Sequence, residues 1–272
     1  MAIFQYAVVS SILHDEPQKM RLLGIFEDNL QRAGGELLSL GSTLIHPRNS
    51  ALPLFMLVLT GGTESEAMRL ISREKMLELR MPIVLFAHPS QNSLPASLEI
   101  LAKVKQDGGK GLILQADASG AFDSKELEDI IAVCQSKIAM RNCRIGVVGR
   151  PSDWLIASSQ DSLVALNSWG VELIDIPLEE LMRNIGEIRS SSLGAPIIED
   201  LQEKAEFFSE SSNADLLKSM EILQALRTLV DRYKLSSLTL RCFDLVLKDQ
   251  STGCLALSQL SDEGIDAGCE GD

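Results

Sequence analysis

The sequence predicts an α/β protein of two consecutive Rossmann-like domains, each a doubly wound, mostly parallel sheet covered by helices. Three observations point there. Short runs of β-branched and apolar residues alternate with longer stretches of helical period. Several of those runs are apolar almost throughout, the mark of strands buried on both faces. The rhythm restarts near residue 143, so 1–142 read as an N-terminal domain and 143–272 as a second one, incomplete at its carboxyl end. A chain of 272 residues, 45% of them apolar, suffices for two ordinary cores.

Taken in order, residues 6–10 form the first strand and a helix follows near 17–33, with Pro17 acceptable in its first turn. Strands at 36–43 and 54–59 come next, the latter opened by Pro53. A helix over 64–79, a strand at 83–87, a helix at 94–106, a strand at 111–115 and a helix over 124–140 complete the first domain. The second domain opens with a buried strand at 144–148, a helix at 155–168, a strand at 171–176 and a helix at 178–188. Ser190, Ser191, Ser192, Gly194 and Pro196 make a small polar break. Helices at 199–209 and 214–233 follow, the second capped by Asn213. A strand at 238–242, an apolar segment at 254–260 and a last strand at 265–269 close the chain.

Composition excludes several function classes. A formal charge of −13 argues against general affinity for nucleic acid or anionic lipid, both of which are bound by clustered Lys and Arg. The amino terminus has no basic region ahead of its short apolar run, and no apolar stretch approaches the roughly 18 residues of a membrane helix. A cytoplasmic protein without membrane partners is expected. Cys134, Cys143, Cys242, Cys254 and Cys269 are scattered and form no CxxC pair, so they read as buried thiols rather than a disulfide framework or zinc site.

Parallel sheets bind ligands at the carboxyl ends of their strands, and four segments follow predicted strands with polar or glycine-rich sequence. Thr60-Gly61-Gly62-Thr63-Glu64 is either a tight βα turn or a helix start whose amides meet a hydroxyl or anion. His88-Pro89-Ser90-Gln91-Asn92-Ser93 crowds hydrogen-bonding side chains before a helix, with His88 either structural or functional. Gly149-Arg150-Pro151-Ser152-Asp153-Trp154 lacks the GxGxxG pattern, which excludes a dinucleotide fingerprint there. Trp154 either covers the C–H face of a sugar or plugs a domain seam. Gly268-Cys269-Glu270-Gly271-Asp272 ends the chain with two carboxylates, which suit a hard divalent cation or are merely solvated.

These segments, in this order, resemble the L-fucose/L-arabinose isomerase-like family. The resemblance is carried by LVLTGGTESEAM (57–68), FAHPSQNSLPASLEILA (86–102), RIGVVGRPSDWLIAS (144–158), GVELIDIPLEEL (170–181) and LTLRCFDLVLKDQSTGCLALSQLSDEGIDAGCEGD (238–272). The resemblance implies a metal-dependent aldose–ketose isomerase, acting on L-fucose, L-arabinose or a related sugar by enediolate proton transfer between C1 and C2. Glu270 matches the Glu of a Glu-x-Asp motif that is both metal ligand and acid/base residue, and Asp272 matches the motif's Asp. Manganese (Mn2+) is the implied cation. His88, Asn92 and Ser93 are implied to contact sugar across a subunit interface, hence a trimeric or hexameric homo-oligomer, and Trp154 and Arg241 to line the pocket, with Arg241 alternatively a structural ion-pair partner. The family pattern continues beyond Asp272 into strands that supply another carboxylate and a histidine, so the C-terminal catalytic portion is expected to be missing and the chain inactive as it stands. A non-catalytic sugar- or small-molecule-binding module is the alternative.

Overall fold

The protein, seen in a computed structural model that describes residues 2–157, 161–191 and 212–269, is an α/β chain. It divides into two compact units, Met1–Ala139 and Met140–Asp272. In the first, strands β1 (Phe4–Val9), β2 (Gly35–Leu40), β3 (Thr43–Leu44), β4 (Leu54–Val58), β5 (Ile83–Ala87) and β6 (Gly111–Gln115) stand in the order β3-β2-β1-β4-β5-β6. All neighbours are parallel except β3, a two-residue edge antiparallel to β2. The predicted strand at 36–43 thus breaks at Gly41 and turns back on itself.

Successive side chains of a strand point to opposite faces, and β1 shows the consequence. Phe4, Tyr6 and Val8 join a core with Leu23, Phe26 and Leu30 of helix α1 (Glu16–Arg32) and Leu127, Ile130 and Ile131 of α4 (Ser124–Met140). Ala7 and Val9 join another with Ala67 and Ile71 of α2 (Glu64–Arg73) and Ala96, Ile100 and Val104 of α3 (Ser93–Gln106). A strand with helices on both sides must be apolar throughout, and all six residues of β1 are buried. The single polar member, Gln5, is satisfied: its amide donates to Glu36 Oε2 (2.7 Å) and the Pro47 carbonyl (2.9 Å) and accepts from the Asn49 amide (2.9 Å). It thereby pins the 47–49 loop.

Helix α1 begins where Asp15 accepts from the Gln18 amide at 2.8 Å, with Pro17 in its first turn. Helix α2 stops at Arg73, six residues short of the predicted end, because Lys75 turns left-handed at φ 52°. The Met76 amide then reaches the Ile71 carbonyl and the Lys75 amide the Ser72 carbonyl, both at 3.0 Å. Met76 folds back into the same core as Ile71, which completes a Schellman ending with lysine in the usual glycine position.

The second unit has a four-stranded, wholly parallel sheet, β7 (Arg144–Val148), β8 (Glu172–Ile176), β9 (Ser237–Leu240) and β10 (Asp266–Cys269), in the order β10-β9-β7-β8. Its core joins Val148, Ile176, Leu238 and Leu240 to α6 (Leu178–Ser191), α7 (Asn213–Tyr233) and α9 (Cys254–Asp262). The predicted helix at 155–168 is shorter: α5 (Ser162–Trp169) starts only after Asp161, whose carboxylate accepts from the Leu163 amide at 2.8 Å. The strand expected to reach Cys242 ends at Leu240, and Cys242 opens a helix the sequence reading missed, α8 (Cys242–Asp249). The apolar segment at 254–260 is helix α9. Helix α7 is capped by Ser212 rather than Asn213, through a reciprocal capping box with Asp215. Ser190 and Ser191 belong to α6, while Ser192, Gly194, Pro196 and the helix predicted at 199–209 lie outside the described residues.

Arg189 ties three of these helices together. From α6 its Nε donates to Glu221 of α7 at 2.8 Å, and its two terminal nitrogens grip Asp249 at the end of α8 at 3.1 and 3.2 Å. Among the described residues no helix is long and apolar enough to cross a membrane.

Candidate functional site

The chain passes from β7 to β8 on one side, then returns to place β9 and β10 on the other, so the sheet order reverses between β7 and β9. Because all four strands are parallel, their carboxyl ends share one edge, and the two loops leaving β7 and β9 diverge there. A cleft of about 650 Å³ lies at that edge, lined by Gly149 and Arg150 after β7, Asp175 and Glu179 around the end of β8, and Arg241 and Lys248 beyond β9.

Arg241 holds the cleft's walls in place. Its Nε donates to Asp244 at 3.1 Å, one terminal nitrogen to the Pro151 carbonyl at 3.3 Å, and the other lies 3.7 Å from Asp153. It therefore fastens the loop after β7 to the first turn of α8. Gly149 makes this approach possible: its φ is +82°, and a Cβ there would stand 2.7 Å from Arg241 Cβ. Gly149→Ala is expected to lower the stability of the second unit by about 2 kcal/mol, combining left-handed strain with a contact that must open. A chemical melt followed by tryptophan fluorescence checks this, and an unchanged midpoint would refute it. Lys248 Nζ lies 3.3 Å from Glu179 Oε1. The Glu179 carboxyl is held below its usual range by its own backbone amide and then by Lys248. Trp154, expected to line the pocket, is not among the cleft's lining residues; it is 62% exposed and meets Phe243 edge-on at 5.9 Å.

The carboxyl edge of the first sheet is also polar, but its groups are largely occupied by one another. The Ser11 amide donates to Thr60 Oγ1 at 2.7 Å, the Gly61 amide to the Gln91 carbonyl at 2.8 Å, and His14 Nε2 to Gln91 Oε1 at 3.1 Å. With the Gly61 amide taken up, the double glycine serves first as a tight βα turn packed against Asn92, whose Cβ would lie 2.8 Å from a Cβ on Gly61. His88 is 1% exposed, its Nε2 donating to the Leu59 carbonyl at 2.9 Å and its Nδ1 accepting from the Ser90 hydroxyl at 3.0 Å. Its ring packs on Phe26 at 4.7 Å, and burial pushes its pKa down, so it is a neutral strut. Ser93 is fully buried, donating to the Val58 carbonyl at 2.5 Å and accepting from the His88 amide at 3.0 Å. Of His88, Asn92 and Ser93, only Asn92 is exposed in this chain.

The thiols are not uniformly buried as expected: Cys254 and Cys269 are exposed, Cys143 is intermediate, and only Cys134 and Cys242 are buried, each pushed up to about 11 chiefly by that burial. Glu270 and Asp272 lie outside the described residues, the last of which, Cys269, ends β10. Among the described residues no group of three or more His, Cys, Asp or Glu side chains could hold a metal ion, so they do not by themselves fit a divalent cation. Sequence reasoning quoted Arg150 within its loop without singling it out, and missed Asp175 and Lys248. An acid one residue before the carboxyl end of a largely apolar strand, as in VELIDI, was the available signal for Asp175.

The fold and the cleft define an α/β protein with a polar, small-molecule-sized site at a parallel sheet's carboxyl edge. No protein-family model matches the chain, and no curated protein matches it.

Proposed function

We propose that the protein is a sugar-handling α/β protein of the ketol-isomerase type, as its sequence resemblance implies, acting on L-fucose, L-arabinose or a related sugar. The observation that carries this reading is the cleft at the switch point of the second sheet: it is polar, of a size suited to a small ligand, and built from the strand ends where parallel sheets place their ligands. In this reading the two units are Rossmann-like domains, since each parallel strand order reverses once, at β1/β4 and at β7/β9. Glu270, which follows Cys269 directly, is the acid/base residue for proton transfer between C1 and C2. Glu270 and Asp272 are two ligands toward a divalent cation such as manganese, a number short of octahedral coordination, so further ligands must come from elsewhere. Homo-oligomerisation through the exposed Asn92 loop and a cytoplasmic location complete the proposal.

A non-catalytic sugar-binding module is the second reading, favoured by one observation: the cleft's lining lies wholly within residues 149–248 and needs neither terminal carboxylate. Incubation with each sugar and Mn2+, followed by a colorimetric ketose assay, separates the two. Ketose formation abolished by chelator and by Glu270→Gln supports the isomerase, as does Mn2+-dependent sugar binding without ketose that is lost with chelator and in Glu270→Gln. Saturable sugar binding that is indifferent to chelator, without ketose, supports the module, and absence of both outcomes rejects the sugar reading.

A further inference from the structure

Among the described residues, the cleft holds two charged side chains without a partner. Its lining includes three cations, Arg150, Arg241 and Lys248, and three carboxylates, Asp175, Glu179 and Asp244. Arg241 is engaged by Asp244, Asp153 and the Pro151 carbonyl, and Lys248 by Glu179. Arg150 and Asp175 are both exposed, and neither side chain has a hydrogen-bond or ion-pair partner among the described residues. They arise from neighbouring parallel strands: Asp175 pairs with Val147 in the β7–β8 register, and Arg150 stands two residues past Val148, the partner of Ile176. The Arg150 loop is not a loose one, because Gly149 and Pro151, on either side of Arg150, are both held against Arg241, and Asp175 is fixed within β8.

We infer that Arg150 and Asp175 are the recognition pair of this cleft, holding an uncharged ligand with neighbouring hydroxyls. The inference rests on the sugar reading and names the residues that carry it. Each hydroxyl of a vicinal diol is both donor and acceptor. A guanidinium donates in a planar fork and a carboxylate only accepts, so one of each can hold both hydroxyls in a fixed orientation. The lining's positive and negative charges balance, and the chain as a whole carries −13, so a phosphorylated ligand gains no net attraction here. Arg150 is the group that sets position, and Asp175 the group that discriminates against anions.

Calorimetric titration of the 272-residue chain with L-arabinose, L-fucose and arabinose 5-phosphate, repeated on Arg150→Ala and Asp175→Asn, tests the inference. The expected result is binding of a neutral sugar in preference to the phosphate, weakened at least about tenfold in each variant, as loss of a charged hydrogen bond predicts. The melting temperature should hold in both variants, because both side chains are exposed. Neutral sugar bound equally well by both variants overturns the recognition pair while leaving the sugar reading intact. Tighter binding of the phosphate overturns the uncharged-ligand assignment. No binding of any of the three by the parent chain overturns the inference together with the function it rests on.

Discussion

Replacing Arg189 by alanine is expected to lower the stability of the second unit by about 3 kcal/mol. The reason lies in what the arginine leaves behind. The Glu221 side chain is 7% exposed and that of Asp249 8%, and Arg189 reaches both. Without it, two carboxylates stay in a poorly hydrated seam where α6, α7 and α8 meet. Breaking a buried pair from one side leaves an uncompensated charge, which is where the large costs of such substitutions arise. Arg189 itself is 44% exposed, so solvent screens part of the interaction and the figure belongs at the low end of the usual range. Both tryptophans, Trp154 and Trp169, lie in the second unit, so their fluorescence during urea unfolding reports this unit alone. A loss below about 1 kcal/mol would show that water reaches the seam and that the clamp is dispensable. Combining Arg189→Met with Glu221→Gln and Asp249→Asn should recover most of the loss, since no charge is then left without a partner.

His88→Ala is expected to destabilise the first unit by about 3 kcal/mol. The substitution opens a cavity beside Phe26 and strips the Leu59 carbonyl, at the end of β4, of its donor. The same burial gives the parent protein a pH dependence whose sign follows from the direction of the shift. The folded-state pKa of His88 is lowered, so above the unfolded value of about 6.5 the ring is neutral in both states and costs nothing. As pH falls below that value, the unfolded chain takes up a proton that the folded one resists, and stability declines until the folded pKa is passed. Amide hydrogen exchange of β1, β4 and β5 between neutral and mildly acidic pH measures this. A first unit equally protected at both pH values, or protection unchanged by the alanine, would contradict a buried neutral histidine in this role.

His88 also shows where sequence reasoning reaches its limit. A histidine after a predicted strand, among Ser, Gln and Asn, is chemically suited to a ligand or a core, and nothing nearby in sequence decides between them. The decision is made by Phe26 from α1 and the Leu59 carbonyl just past β4, residues distant in sequence that the sheet order brings around the ring. Ser93 follows the same logic, its hydroxyl spent on Val58. Arg241 was legible as either pocket lining or ion-pair partner, and it lines the cleft while being held by Asp244, Asp153 and Pro151.

The α/β class, the buried parallel strands and most of the helices were determined by local pattern, because apolar runs and helical periods are properties of consecutive residues. Helix ends were less accessible, since α2 stops at Arg73 and α5 starts after Asp161 through backbone geometry and capping rather than hydrophobic period. Strand order, and with it the cleft between the loops after β7 and β9, came only from the tertiary structure. Gly149, Arg150, Asp175 and Arg241 span more than ninety residues of chain. They meet because parallel strands align their carboxyl ends, and the sheet order that selects which ends become neighbours is set by packing over the whole unit.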